Sequence, residues 1–566
     1  MRITIYPSEE IASFTNNGFS GFKLEPQDYF LSFYYRPLPG SKVADGVLFV
    51  GLADEPEDTI YGETRIDVSK APVGIWSNYS TIINVAHTSP TTQNIFYVDF
   101  PLGSYGDFEF NFISCFPPTF KNRSNGARRD IAQAFVDLKP GFVRVPGGND
   151  LQGSSIAERF IWNNTIGSLL HRPGRSGTWT GYNTEGFGLM ELMTFVEDIG
   201  STALLAVYAG YSLNHQAVPR DQLQPYIDEV INEIDFLTAS ADDNPMGALR
   251  KNLGRAQPFD LKYVEIGNED FIYPASSTYN YRWTDFYNAL SRRYPNITFI
   301  ATTTVTTEKI PSPSVVDDHD YQVPMYFIKR FRRFERVSRT GPKFLIGEFA
   351  VVNDNDLYIT SPFVGPRLVF PSIRSAVAES IYRIGFERNS DIVIGGCYAP
   401  TLQNIDNTQW TPNLLVFNAK QIVRSTSYLA QQLFSVNLGN IVLHSTATNS
   451  SMTHKSVRKG KEGDGKLGNL YFVATKRTSD NTLILKLASV DPNDTTVRVQ
   501  VKDSQTSAEG QAYILSAGAG VDPSTVKNTI DNSTAASITT QVVSSKNGTF
   551  SITVPSWSVV VVTLVL

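Results

Sequence analysis

Residues 261 to 270 read Leu-Lys-Tyr-Val-Glu-Ile-Gly-Asn-Glu-Asp. The first six residues of this stretch are mostly apolar and β-prone, and Gly267 ends the run. Such a pattern predicts a buried strand, with the polar residues that follow it at the strand's carboxyl end. Asn268, Glu269 and Asp270 are therefore expected to point into a cleft.

A second stretch, residues 343–349, has the same form and reads Lys-Phe-Leu-Ile-Gly-Glu-Phe. Here Glu348 follows a glycine at the end of an apolar run. Carboxylates at the ends of two strands, in a chain that alternates strands and helices, are typical of catalytic acids on the carboxyl-end face of a barrel. The two stretches therefore predict that Glu269 and Glu348 form a catalytic pair.

The region around these stretches alternates between strand and helix patterns. Seven strands are predicted, at 142–145, 203–208, 261–269, 297–303, 315–316, 343–349 and 391–398. Most are separated by segments with helical periodicity. This order favours an α/β fold of the (β/α)8 barrel type over an open nucleotide-binding sheet.

Strand-like sequence flanks the barrel on both sides. Residues 1–114 alternate apolar and polar positions between turns, which predicts a β-sandwich shaped like a carbohydrate-binding module. Its aromatic residues either form the core or stack on sugar. The barrel is predicted to span 115–412, and 413–566 is predicted to form a second β-sandwich that opens with a helix at 416–434.

Charge and hydropathy exclude several classes of partner. A net charge of −6 gives no reason to expect nucleic acid or an anionic membrane. The basic run 329–336 carries phenylalanines at helical spacing, which favours a helix with a buried aromatic stripe over a nucleic-acid patch. The apolar residues 557–566 are too few to span a bilayer and predict a closing sandwich strand.

Two features bear on the compartment. The two cysteines, Cys115 and Cys397, are too few for a disulfide scaffold, and their pairing stays open. Eight Asn-x-Ser/Thr sequons are consistent with secretion. They lie at Asn78, Asn122, Asn163, Asn296, Asn449, Asn493, Asn532 and Asn547. The first residues lack the apolar core of a signal peptide.

Other kinds of catalytic site leave no trace in the sequence. It contains no phosphate-binding G-x-x-x-x-G-K-[ST], no G-x-S-x-G nucleophile elbow and no H-E-x-x-H metal motif. Of six histidines, only His319 falls at a predicted strand end, and one histidine is a poor argument for a metal site. Neither a metal nor a cofactor is predicted.

The remaining candidates are carboxylates and polar residues at strand ends, which suit glycosidic bond cleavage. That reaction needs an acid for the leaving oxygen and, in retaining enzymes, a second carboxylate that attacks the anomeric carbon. Asn268 is placed to bind the neighbouring sugar hydroxyl, and Arg144 behind Glu348 to keep that carboxylate ionised. The alternative is that these residues only satisfy loop backbone and one another.

Several motifs resemble one known family, the family 51 glycoside hydrolases, and within it the fungal-type α-L-arabinofuranosidases. They are Phe-Pro-Pro-Thr-Phe-Lys-Asn-Arg-Ser-Asn-Gly at 116–126, Lys-Pro-Gly-Phe-Val-Arg-Val-Pro-Gly-Gly-Asn at 139–149, Ile-Gly at 166–167 with Arg-Pro-Gly-Arg at 172–175, and Val-Glu-Ile-Gly-Asn-Glu at 264–269. The motifs occur in the family's order, and the resemblance covers essentially the whole chain.

The resemblance implies a secreted retaining exo-glycosidase that releases terminal arabinose from plant arabinoxylan, arabinan or their oligosaccharides, without metal or cofactor. It implies that Glu269 is the acid/base and that Glu348 is the nucleophile. In the family's strand count, which includes a first strand before the seven predicted here, these residues follow the fourth and the seventh strands. Five residues are expected to line the sugar subsite, namely Arg144, Asn149, Asn268, His319 and Tyr321. It also implies that the N-terminal sandwich is inserted into the barrel and that the C-terminal one is a jelly roll.

The chain departs from the family pattern at three places. Val145 replaces a usual aromatic, Asp320 replaces an aromatic or polar residue, and nothing before Gly18 supplies the family's first barrel strand with its glutamate. We therefore expect this chain to be an incomplete product whose upstream sequence encodes that strand and a signal peptide. We expect the 566 residues alone to fold poorly or to hydrolyse weakly.

Two alternatives stay open at this point. The first is another retaining barrel glycosidase, such as a β-xylosidase or an endoglucanase. The second is a homologue that binds carbohydrate but is catalytically impaired. The sequence does not decide linkage preference or oligomeric state.

Overall fold

The computed structural model describes residues 1–55, 58–179, 181–303, 310, 313–448, 464–502 and 507–566. The chain divides into two compact units. The first comprises Met1–Gln133 and Phe417–Ile422, and the second comprises Ala134–Val416 and Val423–Leu566.

The first unit is a β-sandwich of two antiparallel four-stranded sheets. Its strands are β1 (Arg2–Ile5), β2 (Ala12–Asn16), β3 (Gln27–Pro37), β4 (Val47–Asp54), β5 (Ile60–Asp67), β6 (Ser77–Val85), β7 (Asn94–Phe100) and β8 (Gly106–Phe116). The sheet orders are β1–β8–β3–β6 and β2–β7–β4–β5. Alternate residues of β3 are buried, as a strand with one core face requires. The predicted N-terminal sandwich is thus confirmed.

The second unit contains a parallel sheet of seven strands in the order β15–β14–β13–β12–β11–β10–β9. These strands are β9 (Phe142–Val145), β10 (Thr202–Val207), β11 (Leu261–Ile266), β12 (Thr298–Ala301), β13 (Val315–Gln322), β14 (Lys343–Val351) and β15 (Val393–Tyr398). The helices up to β15 are α1 (Arg129–Leu138, divided equally between the two units), α2 (Asn149–Gln152), α3 (Leu189–Asp198), α4 (Gln224–Thr238), α5 (Pro245–Asn252), α6 (Ser276–Arg293), α7 (Pro324–Lys329) and α8 (Ile373–Arg388).

The sheet curls into a nearly closed barrel around an apolar interior. Leu204, Ile300, Val315 and Leu345 form a buried cluster from four strands, since each parallel strand contributes inward-facing side chains. Sequence order is spatial order along this sheet, and β9 and β15 are its two outer strands among the described residues. A (β/α)8-type barrel, with seven strands recognisable in the sequence and the first apparently missing, was predicted, and the barrel is confirmed.

The basic run after β13 forms α7 followed by a 3-10 segment, Arg330–Arg336. Phe327, Phe331 and Phe334 are all buried. The aromatic stripe is therefore a core feature, as its spacing predicts.

The helix predicted at 416–434 is wrong over its first half. The structure has strand β16 (Leu402–Asn404), then β17 (Leu415–Phe417) and β18 (Ile422–Arg424), and only afterwards α9 (Thr426–Ser435). Two side chains explain the difference. Asn418 accepts the N–H groups of Lys420 and Gln421 in a turn, and Ser425 caps α9 by accepting the N–H of Tyr428.

The C-terminal part is a second β-sandwich. Its strands are β19 (Ile441–Leu443), β20 (Lys466–Leu467), β21 (Leu470–Arg477), β22 (Thr482–Ser489), β23 (Thr495–Gln500), β24 (Ala508–Ser516), β25 (Thr539–Ser545), β26 (Thr549–Val554) and β27 (Ser558–Val565). The closing strand β27 is central, because it pairs with both β22 and β24. In the described part of the chain, no helix combines the length and apolarity needed to cross a membrane.

Candidate active site

The first carboxylate stands on a tight turn after β11. Gly267 has a φ of +98°, and a Cβ there would lie 2.1 Å from Asp270 Oδ2, so this position has no room for a side chain. Glu269 itself adopts a left-handed φ of +51°. Non-glycine residues in that region are uncommon and need support from their surroundings.

That support comes from a buried ion pair beneath the turn. Arg282 of α6 donates to Asp270 Oδ1 at 2.7 Å, and both side chains are at most 1% exposed. The other oxygen of Asp270 accepts the backbone N–H of Asn268 at 3.1 Å and the hydroxyl of Thr302 at 2.7 Å. The turn that carries Glu269 is thus tied to a helix and to the next strand.

The second carboxylate, Glu348, lies within β14 and is held by two inward-facing side chains. Arg144 of β9 donates from Nη1 to Glu348 Oε1 at 2.9 Å. The hydroxyl of Tyr321 on β13 donates to Glu348 Oε2. Burial and the charge of Glu348 raise the pKa of Tyr321 well above its ordinary value, so this hydroxyl keeps its proton.

The two carboxyl groups are close neighbours. One oxygen of Glu269, one oxygen of Glu348 and a ring nitrogen of His319 all lie within 4.8 Å of one another. Retaining glycosidases hold their two carboxyl groups about 5–5.5 Å apart, whereas inverting enzymes need about 6.5–9.5 Å to admit a water. The nearest oxygens of this pair, within 4.8 Å of each other, favour the short separation.

His319 stands between the two carboxylates. Its Nδ1 lies 3.0 Å from Glu269 Oε1 and 3.6 Å from Glu348 Oε2, and its Nε2 lies 2.7 Å from Asp317 Oδ2. Burial lowers the pKa of His319, but the charges of Asp317 and Glu348 outweigh it and leave that pKa well above the ordinary value. The imidazolium form of the ring is therefore favoured.

The imidazolium acts in turn on Glu269. Burial raises the pKa of this carboxyl, but the hydrogen bond and the charge of His319 lower it by more. The net pKa of Glu269 is therefore below the ordinary value. His319 thus favours the ionised form of Glu269.

Arg144 bonds several of the buried side chains next to the catalytic pair. Besides Glu348, it binds Glu265 through Nε at 2.5 Å and Asn268 Oδ1 through Nη2 at 2.8 Å. Glu265 is fully buried, and burial together with the nearby charge of Asp317 raises its pKa to about 8 despite Arg144. Glu265 therefore binds a proton more readily than an ordinary glutamate does.

The predicted amides also come together, through a residue that the sequence did not single out. Gln152 Oε1 accepts from the side chains of Asn149 at 3.2 Å and Asn268 at 3.1 Å. Asn268 is 1% exposed, so it lies in the wall rather than on the open surface.

A cavity of about 860 Å³ opens above the carboxylates. Of the seven predicted site residues, all but Asn268 line it. Three aromatic side chains also line it. Phe363 and Trp410 contact Tyr321, with a ring-centroid distance of 5.3 Å between Tyr321 and Trp410, and Trp179 contacts Trp410. Aromatic faces with charged hydrogen-bonding groups beneath them suit a sugar ring.

Metal-ligating residue types also cluster here. Glu265, Asp317 and His319 form one such group, and Glu269, His319 and Glu348 form another. Both nitrogens of His319, however, face carboxylate oxygens, and the raised pKa of the ring favours its doubly protonated form. A metal ligand needs a free lone pair on imidazole, so the arrangement fits a hydrogen-bonded catalytic pair better than a metal site.

Comparison with known proteins decides the family. The descriptions "Alpha-L-arabinofuranosidase 1 domain" and "Alpha-L-arabinofuranosidase C-terminal domain" match residues 134–339 and 347–558. A probable α-L-arabinofuranosidase A of Aspergillus flavus is 35% identical over 560 residues, which cover 96% of this chain and 81% of that protein. The α-L-arabinofuranosidase A of Aspergillus niger is 33% identical over 565 residues, 97% of this chain and 81% of its own length. The chain belongs to the α-L-arabinofuranosidase family.

Solved structures agree with this assignment. An arabinose-bound family 51 α-L-arabinofuranosidase superposes with a TM-score of 0.89 at 35% identity, over 98% of this chain and 85% of that one. An α-L-arabinofuranosidase from Thermotoga maritima, at 17% identity and a TM-score of 0.58, covers 78% of this chain and 91% of that one. At that identity it supports the fold alone.

Two departures from the family pattern have a structural account. Val145 is 3% exposed and packs into the apolar core between the sheet and its helices. Asp320 is buried and paired with Arg333 at 2.9 Å, and it also accepts the hydroxyl of Tyr382 at 2.5 Å. Both residues are therefore satisfied where they stand.

Sequence reasoning missed several residues of this site. Glu265 and Asp317 each place a carboxylate inside an otherwise apolar strand, and that pattern was a usable signal. Trp179, Phe363 and Trp410 sit on loops with no periodicity, so no local signal marked them.

The ion pair under the turn yields a test of stability. Replacing Arg282 by methionine leaves Asp270 buried without its partner, which should cost about 3–5 kcal/mol in the free energy of unfolding. Arg220→Met is the matched control, because Arg220 is 63% exposed in its pair with Asp285 and should contribute less than about 1 kcal/mol. Urea unfolding of both variants measures the difference, and equal losses would refute the anchoring role.

Proposed function

We propose that this chain releases terminal α-L-arabinofuranosyl groups by a retaining double displacement, with Glu348 as nucleophile and Glu269 as acid/base. Membership of the family makes the chain a glycoside hydrolase, an α-L-arabinofuranosidase. The observation that carries the retaining assignment is the short separation between the two carboxyl groups.

In the first step, a Glu348 oxygen attacks the anomeric carbon while the glycosidic C–O bond breaks. Glu269 gives its proton to the departing oxygen. Arg144 and Tyr321 bind the Glu348 oxygens and orient the carboxylate for attack. In the second step, Glu269 takes a proton from water, the water oxygen attacks the same carbon and the bond to Glu348 breaks, so the configuration is restored.

The sugar subsite in this proposal comprises the cavity-facing residues Arg144, Asn149, His319 and Tyr321, with Asn268 in the wall behind them. Trp179 and Phe363 are 41% and 51% exposed, and they offer apolar faces to the rest of the glycan. An arabinose-containing plant polysaccharide or oligosaccharide, such as arabinoxylan or arabinan, is the partner that we infer. The comparisons do not favour a β-xylosidase, an endoglucanase or a binding protein without activity.

We also propose that the enzyme acts outside the cell. Of the eight sequon asparagines, Asn449 lies outside the described residues, and the other seven are exposed. Exposed sequons are open to glycosylation on the secretory pathway.

The roles of the two glutamates are separable. Glu348→Ala should abolish turnover on every substrate, because no covalent intermediate can form. Glu269→Ala should reduce turnover less on 4-nitrophenyl α-L-arabinofuranoside than on an arabino-oligosaccharide, because nitrophenolate leaves with little protonation. Steady-state kinetics of both variants on both substrates decide the assignment, and the reverse ranking would exchange the roles.

The pH profile of the enzyme tests the charge on His319. The rate should fall on the alkaline side as Glu269 loses the proton that it must donate, and the lowered pKa of Glu269 places that fall at acidic pH. His319→Gln removes the positive charge, so the pKa of Glu269 should rise and the alkaline limb of kcat/KM should move to higher pH. An unchanged or downward-shifted limb would contradict this account.

A further inference from the structure

Two buried carboxyl groups beside the catalytic pair have no part in the chemistry described so far. Asp317 is 1% exposed and Glu265 is fully buried, and both lie close to His319. Burying an ionised carboxylate is costly unless it is paired and hydrogen-bonded. Asp317 is therefore expected to make contacts that offset the cost of burying its charge.

The contacts of Asp317 supply that role. Its Oδ2 accepts His319 Nε2–H at 2.7 Å, and its Oδ1 accepts the backbone N–H of Gly347 at 2.7 Å. Gly347 immediately precedes Glu348, and a Cβ there would lie 2.3 Å from Asp317 Oδ1. One carboxylate thus fixes the imidazole ring relative to the strand that carries Glu348.

Fixing Nε2 also fixes the direction of the opposite nitrogen. His319 Nδ1 is hydrogen-bonded to Glu269 Oε1 at 3.0 Å and lies 3.6 Å from Glu348 Oε2, so the second carboxylate is within reach of a small rotation. We propose that Asp317 is a positioning residue that holds His319 so that its Nδ1–H serves Glu348 in the first displacement and Glu269 in the second. This inference rests on the proposed roles of the two glutamates.

The exchange follows from where charge resides in each step. Before the first displacement Glu269 holds a proton and Glu348 is the anion, so Glu348 is the better acceptor for an imidazolium N–H. Once Glu348 is an ester and Glu269 has given up its proton, Glu269 is the anion. His319 keeps both of its protons throughout, and a small rotation about the fixed Asp317 contact changes the acceptor.

The second displacement should suffer most when Asp317 is changed. In it, Glu269 must act as a base on water, and the positioned Nδ1–H orients and stabilises that carboxylate. Nitrophenolate departs without acid help, so the first displacement of an activated substrate is affected less. Asp317→Asn should therefore accumulate the glycosyl-enzyme.

The test uses the full chain and 4-nitrophenyl α-L-arabinofuranoside. For Asp317→Asn we expect kcat to fall at least about tenfold, consistent with the usual size of acid–base contributions. A burst of nitrophenol approaching one equivalent per enzyme should precede the slow steady state. Sodium azide should restore turnover and yield arabinosyl azide, because azide attacks the anomeric carbon and displaces Glu348 without needing a base.

Asp318→Asn is the matched control. Asp318 is the next residue of β13 and is also a carboxylate, but its side chain pairs with Arg333, whereas His319 binds Asp317. We expect neither a burst nor an azide effect in this variant. Comparing the melting temperatures of the two variants with that of the wild type shows how much each substitution lowers stability.

A second variant keeps the test decisive if Asp317→Asn does not fold. In His319→Gln, the side-chain amide can still donate to Asp317, while the charge and the Nδ1–H are lost, so the burst and the azide rescue should appear there too. A fall in kcat without a burst and without azide rescue would overturn the proposal, as would unchanged kinetics.

The variants and the wild type are compared on whichever aryl glycoside the wild type cleaves. A different sugar preference would therefore correct the proposed substrate and leave the role of Asp317 testable. An inactive wild type would refute both the proposed function and the role of Asp317.

Discussion

The site depends on one buried guanidinium. Arg144 is 7% exposed and bonds side chains from two other parts of the barrel, Glu265 and Asn268 at β11 and Glu348 on β14. A planar guanidinium that donates in several directions can bridge carboxylates in a way that lysine cannot. Removing it would leave Glu265 and Glu348 without their shared cation, so the geometry of the catalytic pair and the packing of the barrel interior depend on the same residue.

The charges of the buried layer explain how four carboxyl groups coexist there. Arg144 and His319 supply two positive charges, and Glu265 is neutral at acidic pH because its pKa is raised to about 8. Asp317 and Glu348 then balance the two cations. His319 lowers the pKa of Glu269 in the free enzyme, so Glu269 holds its proton only at acidic pH. Loss of the negative charge on Glu348, when it becomes an ester, favours the ionised form of Glu269 further.

Much of this fold and part of this site follow from the sequence. Glu269 and Glu348 were predictable because each follows a glycine at the end of an apolar run, and strand ends of a parallel barrel meet on one face. The roles of Glu265 and Asp317 depend on inter-strand register, such as the pairing of His319 with Glu348, which no local pattern encodes. The error at 416–434 has a local cause, because the periodicity of that segment ran past a turn at Asn418 and a cap at Ser425.

A retaining double displacement requires that Glu348 form a covalent bond to the sugar. A slow substrate with a 2-fluoro substituent and a good leaving group should trap that intermediate, since fluorine next to the anomeric carbon disfavours positive charge there in both steps. Digestion of the trapped enzyme and mass spectrometry then locate the label. We predict one fluoro-arabinosyl group per chain, on the peptide that contains Glu348. A label on Glu269, or hydrolysis that never yields a labelled enzyme, would contradict the account.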